Sequence, residues 1–158
     1  MPHLKLPIDV ALSAELVEFF NLLGLKVTSV EMFFKRAKPE FDIIHIDDFD
    51  QTDRARINYV IEDSNSVMGF FRPKALDSGY LASGAAGGKP KRFNPHEVDL
   101  VYQHKIKKPS VIQTAIPHAV LNPHGIRYSL AVYLFDKNSN SNLTFNEARR
   151  VFQKYIVA

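Results

Sequence analysis

Residues 113–135 read QTAIPHAVLNPHGIRYSLAVYLF, and they give the clearest indication of the fold class. Two apolar runs flank the tetrapeptide Asn-Pro-His-Gly at positions 122–125. Asparagine, proline and glycine favour turns, whereas valine, isoleucine, tyrosine and phenylalanine favour strands. The stretch therefore predicts strands at 117–121 and 126–135, and we expect these two strands to pair as an antiparallel hairpin.

The same pattern extends toward the N-terminus from this stretch. Residues 25–34 have β character, and short apolar segments bounded by turn residues recur at 41–47, 55–62, 66–71, 98–106 and 110–115. Short strands separated by regular turn signals indicate an antiparallel sandwich or barrel. A parallel sheet would need helices between the strands, and the sequence offers none there.

Helical patterns are confined to the two ends of the chain. Ser13 is placed to cap a helix that ends just before Gly24. Thr144 and Glu147 form a T-x-x-E capping pattern ahead of an apolar face near the C-terminus. We expect these helices to flank the sheets.

One segment, residues 78–94, has neither pattern. It contains four of the seven glycines, and its length exceeds that of most loops in compact domains. The segment predicts an irregular loop that is either a lid or a surface loop without function. Its lysine at position 89 precedes proline, so the segment lacks the Lys-Ser/Thr of a phosphate-binding loop.

Composition excludes several classes of protein. The chain has 158 residues, of which 46% are hydrophobic and 23% are charged, so we expect one globular domain over residues 1–158. The net charge of +3 is small and scattered, so we expect no nucleic-acid partner. We find neither a secretory signal nor a membrane-spanning stretch, so we expect a cytoplasmic protein without a membrane partner. Its oligomeric state stays open.

The absence of cysteine leaves His, Asp and Glu as metal ligands. His45 precedes Asp47 by two residues in FDIIHIDDFD, and positions i and i+2 of a strand share a face. The pair would offer an imidazole nitrogen and a carboxylate oxygen to one point. A partly buried histidine beside a solvated aspartate is the alternative interpretation. Asp48 or Asp50 is a further candidate, for orienting a metal-bound imidazole.

The predicted hairpin places His118 opposite Ser129, and Arg127 on the same side as both. An arginine that points into a small β-barrel needs an anionic partner. That partner is either an internal carboxylate or a carboxylate-bearing ligand held by the guanidinium fork. His104, next to Lys105, Lys107 and Lys108, is interpreted as part of a solvated strand edge.

Two histidines and one carboxylate on one side of a metal form the facial triad of non-haem Fe(II) oxygenases. Here the chain resembles the Fe(II)- and 2-oxoglutarate-dependent dioxygenases over roughly residues 27–135. The resemblance rests on IHIDDF at 44–49, ARINYVIEDSNSVMGFF at 55–71, TAIPHAV at 114–120 and RYSLAVYLF at 127–135. These stretches are most similar to small stand-alone members of the prolyl and aspartyl/asparaginyl hydroxylase type.

This resemblance implies a mainly β fold, a double-stranded β-helix (jelly-roll or cupin-like) with flanking N- and C-terminal helices. The Fe(II) ligands that it implies are His45, Asp47 and His118. The cosubstrate-binding residues that it implies are Arg127 and Ser129, for the distal carboxylate of 2-oxoglutarate, and Asn58.

The implied reaction uses dioxygen to convert 2-oxoglutarate to succinate and CO2 while it hydroxylates a small-molecule or protein side-chain substrate that the sequence does not identify. Two other functions stay open. One is a non-catalytic cupin-like module that binds a metal or small molecule. The other is a structural or interaction protein in which the motif is coincidental.

Overall fold

The computed structural model describes residues 3–36, 43–47, 53–62, 65–82, 89–121 and 125–155. The helices within these ranges are α1 (Ile8–Ala11), α2 (Ala14–Leu22) and α3 (Phe145–Phe152). The strands are β1 (His3–Leu6), β2 (Leu25–Arg36), β3 (Ile44–Ile46), β4 (Ala55–Glu62), β5 (Val67–Pro73), β6 (Tyr80–Leu81), β7 (Lys91–Phe93), β8 (Val98–His104), β9 (Ser110–Gln113), β10 (His118–Leu121), β11 (Ile126–Asp136) and β12 (Ser141–Asn142).

The fold is mainly β, with two antiparallel sheets that form a sandwich. The first sheet has the order β1-β2-β11-β4-β9, with β12 paired to β11. The second has the order β6-β7-β3-β10-β5-β8. The predicted strands therefore lie close to their expected positions, although β8 ends at His104 and β3 is described only over its three residues.

Strand pairing is nested along the chain. β5 pairs with β8, β4 with β9, β3 with β10, and β2 with β11. Successive pairs alternate between the second and the first sheet. Strands β2 to β5 thus pair, in reverse order, with strands β8 to β11. The four strand pairs are divided between the two sheets.

Each face of the first sheet has a different environment. Along β11, Leu130, Val132 and Leu134 pack into an apolar core with Phe20 of α2 and Phe152 of α3. Residues at the alternate positions of β11 point to the opposite face, toward the second sheet. The helices therefore cover the outer face of the first sheet, as predicted, and the inner faces of the two sheets enclose the interior.

A small apolar cluster joins the two inner faces. Met68 and Val120 of the second sheet pack with Ile112 of the first. The Lys35 ammonium on β2 also donates a hydrogen bond across the interior to the Val120 carbonyl. Much of the remaining interior is lined by polar and charged side chains, which is unusual for a sandwich core.

Capping residues fix the helix ends where the sequence predicts them. The Ser13 hydroxyl accepts a hydrogen bond from the Leu16 amide, and α2 ends before Gly24, whose φ is +76°. Thr144 and Glu147 form the reciprocal capping box of α3. Each side chain satisfies an amide group that the first helical turn leaves unpaired.

Two local predictions are wrong. Residues 117–121 and 126–135 do not pair with each other: β10 lies in the second sheet between β3 and β5, and β11 lies in the first. The segment 78–94 is not irregular throughout, because β6 and β7 lie within it and pair with each other. Its residues 83–88 lie outside the described ranges, so its role as a lid stays a prediction.

Candidate metal centre

His45, Asp47 and His118 come together at one point of the interior, as the sequence predicts. His45 and His118 are cross-strand partners on β3 and β10, so their side chains share a face. Asp47 follows β3, and its Oδ1 lies 3.1 Å from His45 Nε2 and 3.6 Å from His118 Nε2. The ligand atoms of the three residues lie within 4.8 Å of one another.

Backbone carbonyls orient both imidazoles. His45 Nδ1 lies 2.8 Å from the Ile43 carbonyl oxygen, and His118 Nδ1 lies 2.8 Å from the Ile116 carbonyl oxygen. A carbonyl oxygen only accepts, so Nδ1 carries the hydrogen in each neutral ring. The Nε2 lone pairs then point toward Asp47. Metal-binding histidines are held in this way, with the second ring nitrogen donating to a carbonyl or carboxylate.

His118 gives the strongest indication that these three residues suit a cation. Its side chain is 1% exposed, and its Nε2 has no hydrogen-bond partner among the described residues. Burial lowers the pKa of His118 to about 4, and this outweighs the opposing effect of Asp47. The ring is therefore neutral near pH 7, and its lone pair faces a carboxylate oxygen. Two acceptors at this separation repel each other unless a cation lies between them.

Arg56 holds the other oxygen of Asp47. Its Nη1 lies 2.6 Å from Asp47 Oδ2, and both partners are largely enclosed. Burial alone would raise the pKa of Asp47, but the Arg56 charge and the two histidines keep that pKa well below its usual range. The carboxylate is thus ionised, with Oδ2 committed to Arg56 and Oδ1 facing the imidazoles.

A chain of polar contacts fixes Arg56 in turn. Its Nη1 donates to the Tyr133 hydroxyl at 3.2 Å, and that hydroxyl donates to Glu31 Oε2 at 3.3 Å. The guanidinium also lies over the Phe33 ring, 5.5 Å from its centroid. The sequence reasoning missed Arg56. Strand alternation could have placed Arg56 on the same face of β4 as Asn58, but it could not have placed Arg56 beside Asp47, which lies on a different segment.

Arg127, Ser129 and Asn58 are all buried on the inner face of the first sheet. Arg127 forms no ion pair with a carboxylate in the part of the chain that the structure describes. Burial and the charge of Arg56 lower the pKa of Arg127 to about 10. Asn58 Oδ1 is buried without a hydrogen-bond partner among the described residues. The interior thus contains polar groups that a bound molecule would satisfy.

Lys35 adds a further positive charge to this region. It is the cross-strand partner of Arg127, so the two side chains lie on the same face. Burial, followed by repulsion from Arg127, lowers the pKa of Lys35 to about 8. We call Lys35, Arg56 and Arg127 the cationic trio. Arg56 is paired with Asp47, whereas Arg127 has no carboxylate partner among the described residues, so this region favours an anionic guest at Arg127.

Two predicted features of the site have different outcomes. The convergence of His118, Arg127 and Ser129 on one interior holds, but the reason given for it was wrong. They converge because two sheets face each other, not because their strands form a hairpin. Asp48 and Asp50 lie outside the described ranges. Their proposed role in orienting an imidazole therefore stays a prediction, and the described contacts of the two Nδ1 atoms are the carbonyls of Ile43 and Ile116.

Comparison with known proteins gives no family for this chain. No protein-family model matches it, and neither a curated protein nor a solved structure does. None of the helices in the described ranges is long and apolar enough to cross a membrane. The function is therefore argued from the site itself.

Proposed function

We propose that the chain is an Fe(II)- and 2-oxoglutarate-dependent oxygenase that hydroxylates a small molecule or a protein side chain. One observation carries the proposal. Two imidazole Nε2 atoms and one carboxylate oxygen converge within 4.8 Å, and Arg127 is buried on the facing sheet without a carboxylate partner among the described residues. The first feature suits a metal, and the second suits an anionic cosubstrate.

The strand layout supports a double-stranded β-helix. In a jelly-roll, eight strands are shared between two sheets with Greek-key connections. The nested pairs β5–β8, β4–β9, β3–β10 and β2–β11 alternate between the two sheets in the way that such a roll requires. β3 and β10 supply the histidines, and β11 supplies the arginine, from opposite layers of this arrangement.

His45, Asp47 and His118 would hold Fe(II), and the donor set fits this metal. Two neutral imidazoles and one carboxylate are the facial set of non-haem iron oxygenases, and they leave the remaining coordination positions for other ligands. When bound, Fe(II) would use dioxygen to couple the oxidative decarboxylation of 2-oxoglutarate, which gives succinate and CO2, with hydroxylation of a substrate C–H bond; one oxygen atom would go to succinate and the other to the product. The surrounding sheets would exclude bulk water from that reaction.

Arg127 would bind the distal carboxylate of 2-oxoglutarate. A guanidinium forms two parallel hydrogen bonds to a carboxylate, and its burial strengthens them. Ser129 lies two residues along the same face of β11 and offers a hydroxyl donor. Lys35, opposite Arg127, adds attraction for a dianion, and Asn58 lines the same face of the sheet.

An anaerobic titration with Fe(II) and 2-oxoglutarate tests the proposal. We expect a visible charge-transfer absorption that needs both components. His118→Ala should abolish it, while His96→Ala, which changes an exposed histidine, should leave it unchanged. Circular dichroism of each variant would establish that it is folded.

A second pair of variants separates the metal from the cosubstrate. Arg127→Met should retain metal binding by calorimetry but lose the 2-oxoglutarate-dependent band, whereas Arg72→Met, at an exposed arginine, should retain both. Absence of the band in the unaltered protein would overturn the proposal. Metal binding without any effect of 2-oxoglutarate would instead indicate a non-catalytic cupin-like module.

A further inference from the structure

One row of side chains crosses the second sheet and contains both histidines of the candidate metal centre. Cross-strand pairing runs along this row from Arg92 to His45, His118, Phe70 and Tyr102. Residues directly opposite each other in an antiparallel pair share a face of the sheet. The row therefore places an arginine on one side of the metal centre and aromatic rings on the other.

The packing of neighbouring residues establishes which face of the sheet this is. Phe70 packs against the apolar cluster that joins the inner faces of the two sheets. The residues at alternate positions, Phe71 and Phe93, belong to a separate apolar cluster of the second sheet. The row that contains His118 therefore faces the first sheet and the interior.

A β-bulge in β8 gives Tyr102 its place in this row. Phe70 pairs with Tyr102 and Phe71 pairs with Leu100, so Val101 is the extra residue. Simple alternation would place Leu100 and Tyr102 on one face, whereas the bulge puts them on opposite faces. Bulges next to functional sites often redirect a side chain in this way. Here the bulge leaves Tyr102 on the face of the histidines.

Phe70, Tyr102 and His104 form a run of nearly parallel rings, which we call the aromatic shelf. The ring centroids of Phe70 and Tyr102 are 6.2 Å apart, and those of Tyr102 and His104 are 6.3 Å apart. The exposed fraction rises from 1% at His118 to 57% at Tyr102. An exposed aromatic surface that continues from a buried polar centre is typical of a ligand-binding groove.

Arg92 lies on the other side of the metal centre and lacks a counterion. It is partly buried, and no carboxylate of the described residues forms an ion pair with it. Its other cross-strand partner is Tyr80, which is not acidic. Arg72 of β5 differs, because it is exposed and its cross-strand partner is Asp99. A partly buried guanidinium without a counterion suits an anionic group of a ligand.

We propose that the substrate is a small molecule with an aromatic ring and an anionic group, bound with the ring on the aromatic shelf and the anion at Arg92. This inference rests on the proposed oxygenase function, because the metal would lie between the two contacts. Neighbouring strands are about 4.8 Å apart, so the backbones of β7 and β5 are separated by about 14 Å. Side chains from both strands shorten this distance, and one small molecule spans it. The carbon to be hydroxylated then belongs to the linker between the ring and the anion.

The absence of tryptophan allows binding to be measured directly, because an indole probe fluoresces without any protein indole background. Suitable probes are indole-3-acetate, indole-3-propionate and indole-3-butyrate. The matching primary amides keep the ring and the chain but lose the charge. Fluorescence anisotropy gives each affinity for the protein with Co(II) and saturating 2-oxoglutarate in the absence of oxygen. The preference for acid over amide should increase from acetate to butyrate, because a longer chain lets the carboxylate reach Arg92.

Variants of the aromatic shelf test the position of the ring. Phe70→Leu and Tyr102→Leu should each weaken binding of indole-3-butyrate by about fivefold, since each removes an aromatic contact. Tyr59→Leu is the matched control. Tyr59 is 42% exposed and pairs with Leu130, whose side chain lies on the helix-covered face of the first sheet. Its replacement should leave the affinity unchanged, and circular dichroism would establish that each variant is folded.

Variants of the arginines test the position of the anion. Arg92→Met should weaken binding of indole-3-butyrate by about tenfold, because it removes a charge-assisted hydrogen bond, and should leave the amide unaffected. Arg72→Met should change neither affinity. A loss in Arg72→Met without a loss in Arg92→Met would place the ring and the anion on the same side of the metal and would overturn the proposal.

Three further outcomes would overturn the proposal. The first is equal affinity of the unaltered protein for acid and amide. The second is displacement of the probe by 2-oxoglutarate, which would place the probe at Arg127. The third is binding of a peptide with the same ring and carboxylate but not of indole-3-butyrate. Failure of the proposed oxygenase function is distinguishable, because the Fe(II) and 2-oxoglutarate absorption would be absent while titration of the metal-free protein still measures the shelf and Arg92.

Discussion

Arg56 Nη1 lies 2.6 Å from Asp47 Oδ2, and this contact determines which oxygen of the carboxylate is available to a metal. Asp47 Oδ2 is the oxygen that contacts Arg56, whereas Oδ1 is the oxygen that lies 3.1 Å from His45 Nε2 and 3.6 Å from His118 Nε2. Arg56 thus prepares the carboxylate for binding a metal through one oxygen. It acts as a positioning residue for the candidate metal centre.

Replacement of Arg56 should weaken metal binding without removing any ligand. We expect Arg56→Met to lower the affinity for Co(II) by about 10- to 100-fold, because the groups that orient a ligand typically have effects of this size. Arg56→Lys keeps the charge but loses the planar fork, so its affinity should be intermediate. Isothermal calorimetry measures both, and the Co(II) visible spectrum reports any change in carboxylate coordination. An unchanged affinity and spectrum in Arg56→Met would exclude this role.

The ion pair between Arg56 and Asp47 should also contribute to the free energy of unfolding. Asp47→Asn removes the partner of a buried guanidinium, and an uncompensated buried charge costs about 3 kcal/mol of unfolding free energy. In Asp47→Asn combined with Arg56→Met, both charges of this pair are removed together, so most of this loss should be recovered. Urea unfolding of the metal-free protein measures each value. The interpretation fails if the double variant is less stable than Asp47→Asn.

Local signals predicted the strands, the caps and part of the metal centre. His45 and Asp47 could be related by two-residue spacing, because strand alternation is a local property. Ser13 and Thr144 could be assigned as caps because a short polar side chain binds amides within the next turn. Each of these inferences needs only a few consecutive residues.

The sheet partners could not be predicted in this way. β10 and β11 are close in sequence, yet each pairs with strands that lie far away along the chain. Nothing local distinguishes a hairpin from a connection between two sheets. Arg56 was missed for a related reason: its partner Asp47 lies on a different segment, and only the fold brings the two together.

The capping box of α3 should contribute to stability. The Thr144 hydroxyl accepts from the Glu147 amide at 3.2 Å, and Glu147 Oε2 accepts from the Thr144 amide at 2.9 Å. Thr144→Ala removes one side of this exchange and should lower the unfolding free energy by about 1 kcal/mol. Gln153→Ala, at an exposed position after α3, is the matched control and should change it little. Equal effects of the two substitutions in urea unfolding would contradict the assigned cap.

Lys35 allows the cationic trio to be examined by titration. Its pKa is about 8 instead of the ordinary 10.5, first because of burial and then because of Arg127. Between these two pH values the unfolded lysine binds a proton that the folded lysine has released. The unfolding free energy of the native chain should therefore rise with pH across this window, relative to Lys35→Met. A constant difference between the two proteins would contradict the lowered pKa.

Arg127→Met should raise the pKa of Lys35 toward its ordinary value, because it removes the repelling charge while burial remains. The rate of acetylation at pH 8 to 9 follows the neutral fraction of an amine, so labelling of Lys35 should slow in this variant. Lys26 lies near the other end of β2 and is the internal reference, since Arg127 pairs with Lys35 and not with Lys26. Mass spectrometry of labelled peptides gives both rates. Equal Lys35 labelling in the two proteins would show that Arg127 and Lys35 do not share the interior in the way that the strand register requires.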